Sequence, residues 1–216
     1  MKFEHTKENT YWNNFYKKIS EASLSPMPPS QFAAFCCSEL RNKGVKTIVD
    51  IASGDGRDSI FFAEQGFHVH AFDKSKEAVE FLRSKLKKTP NIEFFEHDVI
   101  KNSIPDIAEK KFNRAFYARF FIHVLEHSDL KIFFKNLSGG MRANDYLFVE
   151  YRNEKDIDLA KVTPKHYRNF YKSSFVSSLA ARNNLDCIYE VEGQGFAKWK
   201  EDDAFITRQV FIKRES

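Results

Sequence analysis

Residues 49–59 read VDIASGDGRDS: an acid at the end of an apolar run, a small-residue turn through Ser53, Gly54, Asp55 and Gly56, and then a polar helix start. Glycines let a chain turn sharply from strand to helix, and the N–H groups of a helix start favour a polar or anionic ligand atom above the turn. A glycine turn can also be purely structural, so the weight falls on its neighbours. Seventeen positions after Gly56, the next strand-like run, residues 68–73 (HVHAFD), ends in Asp73, where a doubly wound nucleotide fold places an acid for two ribose hydroxyls. A third run, residues 92–96 (IEFFE), is followed by Asp98.

Outward from that segment, strand and helix signals alternate. Ser30 is placed to cap a helix with Phe32, Phe35, Cys36 and Leu40 on one face, and Gly44 to end it. Strand-like residues 46–51 lead through the turn to a helix at 58–65, and Ser75 caps a helix striped by Ala78, Val79, Leu82 and Leu86. A strand near 112–118, a helix near 130–136, a Gly139-Gly140 turn and a strand at 146–151 follow. This order predicts a parallel sheet with helices on both faces. After a helix at 173–183, two runs at 185–192 and 204–213 are joined by an irregular loop. They predict an antiparallel pair, so the sheet ends mixed.

The chain has 216 residues, 15% aromatic, with 34 Lys plus Arg against 30 Asp plus Glu, a formal charge of +4. That balance excludes a disordered chain and predicts a sizeable Phe-rich core. The basic residues form no block, so nucleic acid is not the expected partner. Residues 115–125, the most apolar run, are interrupted by Arg119 and His123, so no membrane span is expected; with no secretory signal at the start, the expected location is cytoplasmic. Cys36, Cys37 and Cys187 match neither a disulfide framework nor metal spacing, so buried reduced thiols and no metal are expected. Residues 1–29 form a separate segment ending in Pro26, Pro28 and Pro29, with Tyr11, Trp12, Phe15 and Tyr16 at helical spacing. That stripe reads as ordinary packing or as a lid on the domain at 30–216.

A dinucleotide site normally has a small third residue in G-x-G-x-x-G; here it is Ser59, after Arg57 and Asp58, and Asp50 stands before the turn. Acids after three successive strands suit an adenosine with a cationic tail. In these motifs the chain resembles the class I S-adenosylmethionine-dependent methyltransferases, with Ala52 at the first glycine of their G-x-G-x-G pattern. The resemblance implies a Rossmann-like three-layer sandwich, with a seven-stranded mixed sheet whose last strand is antiparallel, and S-adenosylmethionine as cofactor. It implies that Asp50 and the turn of Ala52, Ser53, Gly54 and Gly56 serve the methionine part, with Ser30 and Arg57 near its carboxylate and Asp58 also among the cofactor-binding residues. Asp73 and Lys74 would serve the ribose, Asp98 and Val99 the adenine, and Ala118 would border the site from the fourth strand.

The acceptor side must come from the fourth and fifth strand ends. There the chain reads YARFFIHVLEH and EYR, placing Arg119, His123, Glu150 and Arg152, with Lys165, His166 and Arg168 in KHYRNF and Arg208 in the last strand. Arginines in this region point to an anionic acceptor. Arg119 alternatively pairs with Glu126 or Glu150, and the KHYRNF charges alternatively form a solvated turn. These segments are also similar to small methyltransferases of bacterial surface-polysaccharide (capsule) biosynthesis, some of which O-methylate a phosphoramidate. The expected activity is methyl transfer to an oxygen of a small anionic metabolite. Arg119, Arg152 and Arg168 would orient the acceptor, with His123 or His166 as base if it is a hydroxyl. The rivals are a nicotinamide-dependent oxidoreductase and a non-catalytic cofactor-binding partner of an active methyltransferase.

Overall fold

A computed structural model describes residues 28–86, 89–107, 112–162 and 167–215. The aromatic stripe from Tyr11 to Tyr16, and Lys165 and His166, lie outside these residues. The elements are α1 Gln31–Leu40, β1 Thr47–Ile51, α2 Arg57–Glu64, β2 His68–Asp73, α3 Lys76–Lys85, β3 Ile92–Glu96 and β4 Arg114–Arg119, followed by α4 His127–Gly140, β5 Tyr146–Arg152, α5 Ser173–Ala181, β6 Leu185–Gly193 and β7 Ile206–Lys213. They build a seven-stranded sheet in the order β3-β2-β1-β4-β5-β7-β6. The first five strands pair in parallel, and β7 runs antiparallel to both β5 and β6. This is the mixed seven-stranded sheet that the order of elements predicts, with β7 antiparallel as expected.

The central strands β1 and β5 are buried on both faces, so apolar residues occupy both sides, and the buried charges among them, Asp50, Glu150 and Arg152, lie toward the carboxyl ends. On one face Phe32, Cys36 and Leu40 of α1, Phe62 of α2 and Leu82 of α3 pack on Ile48, Ala71, Ala115 and Phe148. On the other, Phe133, Phe134 and Leu137 of α4 with Val176 and Leu179 of α5 pack on Val49, Phe116, Leu147 and Val149. The capping residues act as expected: Ser30 Oγ accepts from Ala33 N at 3.0 Å, and Ser75 Oγ from Ala78 N at 3.3 Å. Cys36 and Cys37 are buried and unbridged, whereas Cys187 is exposed.

One local expectation is corrected. Gly139 and Gly140 are not a turn but the last residues of α4. A Cβ on Gly140 would lie 2.8 Å from the Ile104 carbonyl oxygen, so the glycine serves close packing of helix against loop. β4 also begins at Arg114, two residues later than expected.

Arg114 closes the end of the sheet opposite the candidate site. Its fully buried guanidinium donates through Nε and Nη2 to Asp145 Oδ2 at 3.0 and 2.6 Å, and its backbone N donates to Asp145 Oδ1 at 2.8 Å. Arg114 Nη1 also reaches the exposed Asp106 at 3.2 Å, so losing Asp145 leaves the guanidinium its weaker partner, and breaking the buried pair costs up to about 3 to 5 kcal/mol. Asp145→Ala is therefore expected to lower the free energy of unfolding by about that amount, read as a reduced urea midpoint.

Candidate functional site

The carboxyl ends of β1, β2 and β3 meet at the turn singled out in the sequence. Ala52, Gly54 and Gly56 have φ of +57°, +58° and +74°, a left-handed path that lifts the chain over the strand ends. Gly56 caps α2, and a Cβ there would lie 2.9 Å from Leu82 Cδ2, so both backbone and space require glycine. Ser53 N donates to the Phe72 carbonyl at 3.0 Å, while Ser53 Oγ is buried with no hydrogen-bond partner among the described residues. A buried hydroxyl without a partner is costly, which fits a turn shaped for a polar ligand atom.

Asp73, at the tip of β2, accepts from Gly54 N at 2.9 Å and from Ser75 N at 2.8 Å. An ionised carboxylate has about four acceptor positions, so each oxygen keeps capacity for a further donor such as a ribose hydroxyl. Burial raises its pKa, opposed by those two backbone bonds. Lys74 beside it is exposed, and Val99, whose carbonyl accepts from Asn136 Nδ2 at 3.0 Å, is buried. Asp98 Oδ1 accepts from Ile100 N at 3.0 Å within its own turn. Ala118 is buried on the α4 face of β4.

Three residues expected to bind the cofactor are spent elsewhere. Asp50 is buried and accepts a short hydrogen bond from Ser59 Oγ; burial pushes its pKa well up. Asp58 Oδ1 accepts from Ser30 N at 2.7 Å, and its Oδ2 accepts from Ser30 Oγ at 2.8 Å and from Tyr117 Oη at 2.7 Å. Ser30 and Asp58 therefore lock α1, α2 and β4 together instead of presenting donors to a ligand. Tyr117 was missed in the sequence; its ring reads there as one more apolar strand position. Its pKa is pushed well up by burial and by Asp58, so it stays a neutral donor. Arg57 and Asp55 remain half-buried in the turn, and burial raises the Asp55 pKa against the pull of Arg57.

On the acceptor side, Arg119, Glu150 and Arg208 are register partners on three neighbouring strands. Fully buried Glu150 accepts from Arg119 Nε and from Arg208 Nε, both at 2.8 Å. Arg208 is further held by the Phe196 carbonyl at 2.9 Å and lies over the rings of Phe32, Phe35 and Phe196. Arg119 lies over Phe120, with 15% of its side chain exposed and no partner on its two terminal nitrogens among the described residues. Burial works against its charge but is outweighed by Glu150, so its pKa is raised.

Arg152 departs from expectation: it is buried and its charge is met by two carboxylates, with Nη1 on Asp156 at 2.7 Å and Nη2 on Asp202 at 2.6 Å. Its acids lie four and fifty positions away in sequence, and only the second contact is beyond the reach of local reading. His123 is buried in the short turn after β4, edge-on to Phe120 at 5.4 Å. Arg168 is half-buried beside Asn169, whose backbone N donates to the His123 carbonyl at 2.6 Å.

Comparison with known proteins follows the same line. Residues 48–143 match the family model for a methyltransferase domain. Human glycine N-methyltransferase is 25% identical over 189 residues, covering 77% of this chain. The chain spans 64% of that enzyme's length. Among solved structures, an S-adenosylmethionine-dependent methyltransferase from Anabaena variabilis superposes with a TM-score of 0.70 at 16% identity, covering 95% of each chain. The cyclase SpnF superposes with a TM-score of 0.67 at 9% identity, covering 90% of this chain and 86% of its own. These matches support the class I S-adenosylmethionine-dependent methyltransferase reading, and the family and its neighbours imply S-adenosylmethionine as cofactor. No helix of the described residues is long and apolar enough to cross a membrane, and no metal-binding cluster occurs among them.

Two outcomes follow from this geometry. Asp73→Ala is expected to weaken S-adenosylhomocysteine about tenfold or more in a calorimetric titration, as for loss of hydrogen bonds to a charged acceptor. Asp50, with its folded pKa raised, contributes stability in full below the ordinary carboxylate pKa of about 4 and loses it as pH rises toward the folded value. Asp50→Asn should therefore gain stability relative to the parent protein between pH 4 and pH 8 in urea titrations. A constant difference would show that Asp50 is ionised in the folded state.

Proposed function

We propose that the chain transfers the methyl group of S-adenosylmethionine to a small acceptor bearing an anionic group, held by Arg119. The observation that carries this is the guanidinium itself, fixed through Nε by Glu150 with its two terminal nitrogens unspent at the carboxyl end of β4. Such a fork matches a carboxylate or phosphoryl group. The fit of the cofactor rests on the unspent Ser53 hydroxyl, the spare acceptor capacity of Asp73 and the left-handed turn. When bound, S-adenosylmethionine supplies a sulfonium methyl carbon open to in-line attack.

The residues then act mainly by placement. Holding the reactants near attack distance accounts for roughly 7 to 11 kcal/mol of barrier lowering, against about 10²- to 10⁴-fold in rate from a side-chain base. An acceptor oxygen that is already ionised, as in a phosphoryl or phosphoramidate group of a capsule precursor, needs only Arg119 and Arg168 to orient it. Arg152, paired with two buried carboxylates, is withdrawn from that role. A hydroxyl acceptor would call on His123 or His166 as base.

A second reading is favoured by one relative. The human protein is named for N-methylation of glycine, and an amino acid offers a carboxylate to Arg119 with a nitrogen as nucleophile. Both readings share the anion at Arg119. Nothing in the comparisons favours an oxidoreductase.

The deciding experiment begins with calorimetric titration of S-adenosylhomocysteine beside NAD and NADP, with binding of the first alone expected. Methyl transfer is then assayed with phosphorylated sugars, phosphoramidates and glycine. Arg119→Ala should keep affinity for S-adenosylhomocysteine within about threefold, whereas kcat/KM falls roughly 10- to 150-fold through loss of charge-assisted hydrogen bonds. Unchanged turnover in a folded variant would remove Arg119 from the acceptor site. A rate that stays flat from pH 6 to pH 9 would identify an acceptor that needs no histidine base.

A further inference from the structure

β2 lies between β1 and β3 in the sheet, and its end is flanked by two buried polar atoms that the fold leaves unspent. On the β1 side is Ser53 Oγ, already assigned to the turn. On the β3 side is His97, a residue with no role in the motifs. Its backbone N donates to the Asp73 carbonyl at 2.8 Å, which ties it to the strand end carrying the ribose acid. Its ring packs on Phe72, 5.0 Å between centroids at 37°, which fixes its orientation. Its Nε2 is buried and has no hydrogen-bond partner among the described residues.

A solvated histidine would turn that nitrogen to the solvent, and a purely structural one would bond it to a protein group; among the described residues neither holds. The next residue, Asp98, is occupied by its own turn, taking Ile100 N at 3.0 Å and Lys101 N at 3.4 Å on Oδ1, with Lys101 Nζ 3.5 Å from Oδ2. The imidazole therefore stands beside the Asp98 carboxylate as a second polar group beyond β3, and Asp98 Oδ2, with only an exposed lysine 3.5 Å away, keeps acceptor capacity of its own.

We propose that His97 is a binding residue for the adenosine part of the cofactor, with Nε2 exchanging a hydrogen bond with the nucleoside. The proposal rests on the cofactor reading above. It also accounts for the cost of an orphaned nitrogen: the site carries it unpaired so that the nucleoside can pair it on binding.

The test compares the parent protein with His97→Phe, which keeps a ring against Phe72 but removes both nitrogens. His97→Gln retains a polar tip. Ligand-free His97→Phe should melt at the same temperature as the parent or higher, because an unsatisfied group has been replaced by an apolar one. It should bind S-adenosylhomocysteine about three- to tenfold more weakly by calorimetry, with His97→Gln in between. In the parent labelled with ¹⁵N-histidine, the Nε2 resonance should move on addition of S-adenosylhomocysteine. Equal affinity of parent and His97→Phe, or an Nε2 resonance that stays in place while the ligand binds, would overturn the proposal. If His97→Phe fails to fold, the resonance decides alone. Failure of the parent to bind S-adenosylhomocysteine would instead overturn the cofactor reading beneath it.

Discussion

A single buried carboxylate, Glu150, ties side chains of β4 and β7 to one another at the carboxyl end of β5. It sits on β5, between the last parallel neighbour β4 and the antiparallel strand β7, and receives one guanidinium from each. A buried anion with one partner would pay heavily for its desolvation; Glu150 has two, and the buried Asp58 carboxylate also acts on Arg119. Arg208 is absorbed into the packing by three aromatic rings and a carbonyl. Glu150 thus fixes Arg119 through Nε, and the Asp58, Ser30 and Tyr117 network beside it keeps α1 and α2 registered on the same face.

The order of elements was legible in the sequence, because strand runs, helix stripes and caps each carry a local signal. β2 and β3 matched residue for residue, and Ser30 and Ser75 capped their helices as read. The glycine turn and Asp73 were legible for the same reason: a left-handed path and a strand-end acid leave traces in neighbouring residues. What did not show was which polar groups are already spent. Ser30 and Asp58 are 28 positions apart, Tyr117 and Asp58 59, and Arg152 and Asp202 50. No local pattern reports such pairings, so residues of the right chemistry were read as facing a ligand when they face one another. The Gly139-Gly140 pair misled for a related reason, since the missing side chain of Gly140 serves Ile104 across the fold.

The comparisons separate scaffold from chemistry. A methyltransferase and a cyclase superpose on this chain about equally well, with TM-scores of 0.70 and 0.67. The sheet and its helices therefore say little about the reaction, which lives in the residues grafted on the strand ends. In this chain those residues divide cleanly. The β1 to β3 ends offer acceptors and small groups suited to a nucleoside, and the β4 and β5 ends offer a fixed cation.

The placement of β7 also governs how the molecule is made. It is the last strand in the chain, yet it lies inside the sheet, between β5 and β6. During synthesis from the amino end, β5 keeps an open edge until residues 206–213 have left the ribosome, and such an edge invites pairing with the wrong strand. Until then Glu150 also lacks its second guanidinium. The growing chain consequently completes the β1 to β3 ends before the β5 end, and β7, on docking, covers the β5 edge and brings Glu150 its second guanidinium in one event.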